Sequence, residues 1–153
     1  IFSIFHAVKG RSPEKTVDQL VTSVFKLDAD GIIDTFPKEA VNKLKEEGDW
    51  DDEYDDLVSG IESLAQSVGD YVDLEKMCSY KITETKDATK EEIAEIQEDY
   101  DDEGIDVKIK DAKIITVELT INIPIYGSET DSEDFVVIKI GNSWYIDPMN
   151  FSL

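Results

Sequence analysis

The side chains that could do chemistry in this sequence are overwhelmingly carboxylates: 36 Asp and Glu against 15 Lys and Arg, with one histidine, His6, and one cysteine, Cys78. They gather in three places: Asp28-Ala29-Asp30-Gly31, GDWDDEYDD at residues 48–56, and EDYDDEG at residues 98–104. Oxygen ligands at this density invite calcium. The first cluster fails as an EF-hand. With Gly31 at the sixth loop position, the first is Lys26 and the twelfth Pro37, where the motif requires Asp and Glu. The other two clusters are read as acidic helix starts and solvated loops, with weak calcium binding, in the millimolar range of extracellular modules, as an alternative. A single His and a single Cys supply too few ligands for a zinc or iron-sulfur site within one chain, and no Ser-His-Asp constellation emerges. Cys78 sits in an alternating apolar pattern and reads as a small buried hydrophobe, not a nucleophile. No metal ligand set, cofactor or catalytic residue is assigned.

The formal net charge is −21 and the isoelectric point is near 4.1. Such a field repels phosphate backbones and anionic headgroups, which argues against nucleic-acid binding and against membrane attachment through a basic patch. The plain reading of the charge is solubility, and the functional one is attraction of a cationic partner or ions.

At 153 residues the chain suits one domain with one core. IFSIFHAV at the start is too short to span a bilayer, which takes about 20 apolar residues. Residues 1–11 are expected to be a trimmed anchor or signal remnant, or a linker, and residues 12–150 the domain. Any membrane association would then come only through an upstream anchor. Ser12 as N-cap and Pro13 at the first helical position open a helix with Val17, Leu20, Val21, Val24 and Phe25 on one face. A second, short helix carries Val41 and Leu44 behind Pro37 and closes at Gly48. A third runs from the acidic cluster through Tyr54, Leu57, Ile61, Leu64, Ala65 and Val68, with Gly69 as its cap.

From Tyr71 the apolar period becomes two, with Val72, Leu74, Cys78, Tyr80 and Ile82 on the inner face of a strand. Thr89 and Glu92 have the spacing of a capping box, so a short helix interrupts the sheet, and its thin stripe of Ile93, Ile96 and Tyr100 implies surface placement. Residues 105–109 alternate again. The longest strand follows, with its core face running from Ile115 to Ile125, then a polar loop over residues 127–132. DFVVIKIGNSWYIDP ends the pattern as a hairpin about Gly141-Asn142. In that register Phe135, Val137, Trp144 and Ile146 share one face, and Val136, Ile138, Ile140 and Tyr145 the other. Both faces are apolar. The second needs cover from residues 1–8, from a helix or from another subunit, and a sheet-mediated homodimer through Val136, Ile138, Ile140 and Tyr145 is the leading explanation.

This order of three helices, a strand, a helical insertion and a closing meander resembles the cystatin-like or NTF2-like α+β fold, particularly small extracytoplasmic domains of unknown function on bacterial surface proteins and lipoproteins. SPEKTVDQLVTSVFKLDADGI and VVIKIGNSWYIDP carry the resemblance, which covers residues 12–148. It implies N-terminal helices packed on the concave side of a curved antiparallel sheet, a cone sometimes holding a pocket, with the helical insertion between the first and second strands. It implies no catalytic residue, and fold alone does not select a function. The leading expectation is a noncatalytic extracytoplasmic module of a bacterial cell-envelope protein that binds a small molecule, a peptide or a protein. Tyr54, Tyr80 and Trp144 are the candidate pocket lining. The alternative is a ketosteroid isomerase-like or dehydratase-like enzyme using a pocket carboxylate as base and a tyrosine as proton donor. A buried carboxylate hydrogen-bonded to a pocket tyrosine would be its mark.

Overall fold

The computed structural model describes residues 10–68 and 73–151. The expectations for residues 1–9, including the anchor remnant and His6, and for Gly69, Tyr71 and Val72 lie outside these residues. The fold is α+β, with a four-stranded open antiparallel sheet in the order β1-β2-β3-β4. The elements are α1 (Pro13–Phe25), α2 (Ala29–Ile33), α3 (Lys38–Glu47), α4 (Trp50–Val68), α5 (Leu74–Met77), β1 (Cys78–Asp87), α6 (Lys90–Asp102), β2 (Asp111–Ile123), β3 (Gly127–Ile140) and β4 (Ser143–Ile146), followed by a 3-10 turn, Pro148–Asn150.

Helix starts and stops follow their local chemistry. Ser12 Oγ accepts from Lys15 N at 3.2 Å with Pro13 behind it, fixing the start of α1. Asp28 is the N-cap of α2, accepting from Gly31 N at 3.1 Å. Gly31 is required by proximity: a Cβ there would collide with Ser23 Oγ and lie 2.7 Å from Asp28 Oδ2. Gly48 ends α3 in the left-handed region at φ 85°. The capping box of α6 is complete, with Glu92 N donating to Thr89 Oγ1 and Thr89 N to Glu92 Oε2, each at 3.1 Å.

Two cores flank the sheet. On one face Val17, Leu20 and Val21 of α1, Ile32 of α2 and Ile61 of α4 meet Ile115, Val117, Val137, Trp144 and Ile146. On the other, Ile96 and Tyr100 of α6 join Ile105, Ile109, Ala112, Ile138 and Ala40. The predicted hairpin register holds, with Lys139 opposite Trp144 and Val137 opposite Ile146. Helices therefore lie against both faces, where the sequence reading put them on the concave one. The stripe on α6 is short, yet Tyr100 is fully buried and Ile96 nearly so. Surface placement of this helix is thus corrected: it packs on the sheet, and one side of it faces water.

Four further expectations are revised. Leu74 starts a single helical turn capped by Asp73, and β1 begins only at Cys78. Residues 105–110 form no strand: Ile105 N donates to Tyr100 O and Val107 N to Ile105 O, while the Gln97 side chain accepts from Ile109 N at 2.8 Å and donates to Val107 O at 2.9 Å. Residues 127–132 are the first part of β3 and not a loop, paired from Gly127 opposite Ile123 to Ser132 opposite Glu118. They are exposed on both faces, so no apolar period marks them. Ile125, expected on the core face, sits in the turn between β2 and β3 at φ 78° and is fully exposed, next to an exposed Tyr126.

Arg11 belongs to the fold. Its carbonyl accepts from Trp144 N at 3.0 Å, and its guanidinium donates to Asp34 O and to Gln19 Oε1.

Candidate functional site

An open groove of about 740 Å3 lies between α3, α4, the C-terminal end of α6 and the closing 3-10 turn. None of its lining residues belongs to a strand. It is thus distinct from the pocket between helices and sheet that the resemblance implies. Where that pocket was expected, α1, α2 and α4 pack on the sheet through the first core.

The sequence builds this groove by helical spacing. Val41 and Leu44 of α3 point into it from one side, and Trp50, Tyr54 and Leu57 of α4, four and three residues apart, from the other. Gly48, with its left-handed backbone, lets the chain double back between the two helices. Phe36, Ile105 and Phe151 close the apolar floor, with the Phe36 and Phe151 rings edge to face at 5.5 Å.

The rim is acidic. Glu47, Glu53, Asp56, Asp99, Asp102 and Glu103 surround the floor, and the one basic lining residue, Lys43, is 3.2 Å from Glu47. Both acidic clusters of the sequence, residues 49–56 and 99–103, contribute to it. Trp50 and Tyr54 form an aromatic shelf with ring centroids 5.9 Å apart, and the Lys45 ammonium lies 5.0 Å from the Trp50 ring centroid. The Tyr54 phenol donates to Asp30 Oδ1 at 3.3 Å. The Asp30 charge, desolvation, that hydrogen bond and then the Asp28 and Asp55 charges hold the phenol above its ordinary pKa. Among the described residues, no three His, Cys, Asp or Glu side chains converge as metal ligands.

Of the three aromatic residues expected to line a pocket, the groove includes only Tyr54. Tyr80 packs edge to face on Phe25 at 5.9 Å and donates to Asp18 Oδ1 at 2.9 Å. Its phenol is raised, chiefly by burial. Trp144 is part of the first core. Trp50, the largest groove residue, was visible only as an aromatic among carboxylates. The four-residue step from Trp50 to Tyr54, continued by Leu57, was the signal that it belonged with the apolar face.

The residues proposed as a subunit interface lie under α6. Ile138 is fully buried, and Val136, Ile140 and Tyr145 pack partly buried against the same core. α6 of the same chain supplies part of the cover this face needs, and Val136, Ile140 and Tyr145 keep some exposure.

Three carboxylate-phenol pairs bear on the enzyme alternative, and one of them, Tyr80 with the exposed Asp18, lies outside the groove. Tyr54 borders the groove, but its partner Asp30 is exposed. Tyr100 and Asp147 are both buried and 3.1 Å apart, but neither lines the groove. Asp147 Oδ1 also accepts from Met149 N at 3.1 Å, and its Oδ2 accepts from Asn150 Nδ2 at 2.6 Å. Its hydrogen bonds cap the 3-10 turn and tie it to α6. Cys78 is partly buried, and burial pushes its thiol up, away from the reactive thiolate.

No helix among the described residues is long and apolar enough to cross a membrane. Comparison with family models, curated proteins and solved structures finds no match.

Proposed function

We propose that the chain is a noncatalytic ligand-binding or protein-interaction module, and that its binding surface is the groove between α3, α4 and the end of α6. The observation that carries this reading is the open, apolar-floored groove of about 740 Å3. Folded domains rarely leave a contiguous apolar concavity of this kind to water unless something docks there. The groove does not enclose a carboxylate-phenol pair, since Asp30, the partner of its tyrosine, is exposed to solvent. A bacterial extracytoplasmic, cell-envelope setting is supported by the resemblance of residues 12–32 and of the closing hairpin to surface-protein domains.

Nile red, an uncharged apolar fluorophore, tests the groove. Its emission should shift to the blue and intensify with wild-type protein, and Leu44→Glu should remove the response by placing a charge on the floor. An unchanged response in Leu44→Glu, or none with wild type, would overturn the reading.

A further inference from the structure

Resting on that reading of the groove, we infer that its occupant is a cationic amphipathic helix, an apolar stripe flanked by Lys or Arg, presented by a protein or peptide partner.

Shape indicates a helix. Two helices joined through Gly48-Asp49 form the walls, and their apolar residues project at i, i+3 and i+4 spacings, Val41 and Leu44 from α3 and Trp50, Tyr54 and Leu57 from α4. A third helix fits such a trough by laying its own stripe between the two. A strand is a poorer fit, because the groove offers no free sheet edge: none of its lining residues is in a strand.

Charge indicates the sign. Six carboxylates border the floor, and the single lysine among the lining residues is already beside Glu47. These acids come from three separate segments, α3, α4 and the end of α6 with its cap, so the negative rim surrounds the floor instead of marking one helix face. An anionic or neutral helix would leave them facing apolar surface or their own sign, whereas Lys and Arg flanking an apolar stripe meet them while remaining partly solvated. Trp50 adds a second, independent preference: its ring already holds the Lys45 ammonium at 5.0 Å, and an incoming guanidinium or ammonium can take the same position. The overall charge of −21 would speed the encounter without choosing the site.

The test uses the full chain and three fluorescein-labelled helical peptides with one leucine stripe and a polar face of Lys, of Gln or of Glu, followed by anisotropy. The Lys peptide should bind about tenfold more tightly than the Gln peptide, weaken as salt is raised, and outbind the Glu peptide further. Glu53→Lys combined with Asp102→Lys, both at exposed positions, should weaken the Lys peptide by about tenfold and leave the Gln peptide unchanged. Equal binding of the Lys and Gln peptides, or a Lys peptide indifferent to the double variant, would overturn the inference. If no peptide binds while Nile red still does, the inference fails and the groove reading stands. If neither binds, both fail.

Discussion

The phenol of Tyr100 donates to Asp147 Oδ1 at 3.1 Å across a sequence separation of 47 residues, with both side chains buried. This bond fastens the inserted helix α6 to the chain just after β4, where Met149 and Phe151 line the groove together with the acidic end of α6. Tyr100→Phe should cost about 1 to 3 kcal/mol, because a buried carboxylate loses a donor. Asp147→Ala should cost about 2 to 4 kcal/mol, since it strands the phenol and uncaps the 3-10 turn. Urea denaturation checks both. A loss below about 0.5 kcal/mol for either would show that the pair holds nothing together.

Alkaline pH reports on the same phenol. Burial, reinforced by the Asp147 charge, raises its pKa above the ordinary 10.0. Above pH 10 the unfolded tyrosine releases its proton while the folded one keeps it, so the native state binds more protons and stability falls as pH rises. The slope from this one group is about 1.4 kcal/mol per pH unit. Urea midpoints followed from neutral to alkaline pH should show that decline, and Tyr100→Phe should reduce its slope by that amount.

Ile138 distinguishes an intramolecular cover from a subunit interface. Its side chain is fully buried among Ile96, Tyr100, Ile105 and Ile109. Ile138→Ala should therefore cost about 2 to 5 kcal/mol in unfolding free energy. The urea midpoints of wild type and variant should not depend on protein concentration. A midpoint that rises with concentration would mean that a second subunit completes this face.

Gly31 tests the elbow between α1 and α2. A methyl group there meets the Asp28 cap and Ser23, so Gly31→Ala should lower stability by about 1 to 3 kcal/mol. Thermal unfolding would read this as a drop in midpoint, and an unchanged midpoint would show that the elbow relaxes freely.

The sequence disclosed the parts of the fold that local chemistry controls. The Ser12-Pro13 start, the Thr89-Glu92 box, the Gly48 stop and the Gly141-Asn142 turn all follow from hydrogen-bonding capacity and allowed backbone angles, which act within a few residues. It misled where a distant partner decides. The alternation of residues 105–109 looks like a strand, but local carbonyls take the N–H groups of Ile105 and Val107, and the Gln97 side chain takes Val107 O and Ile109 N, which leaves no ladder. Ser128 to Asp134 pair with β2 yet face water on both sides, so they carry no apolar period. The groove was half legible. Its carboxylates and Tyr54 stood out in the sequence, but that residues 49–56 and 99–103 ring one apolar floor depends on how α6 crosses the sheet, which spacing along the chain does not encode.

The most direct test of the central claim is a map of backbone and indole N–H chemical shifts as the Lys-faced peptide is added to the isotopically labelled chain. The groove predicts that the largest changes fall on Leu44, the Trp50 indole, Leu57 and Ile105, with β1 and the turn at Ile125 and Tyr126 unmoved. Changes centred on that exposed turn, or spread evenly over the acidic surface, would contradict it.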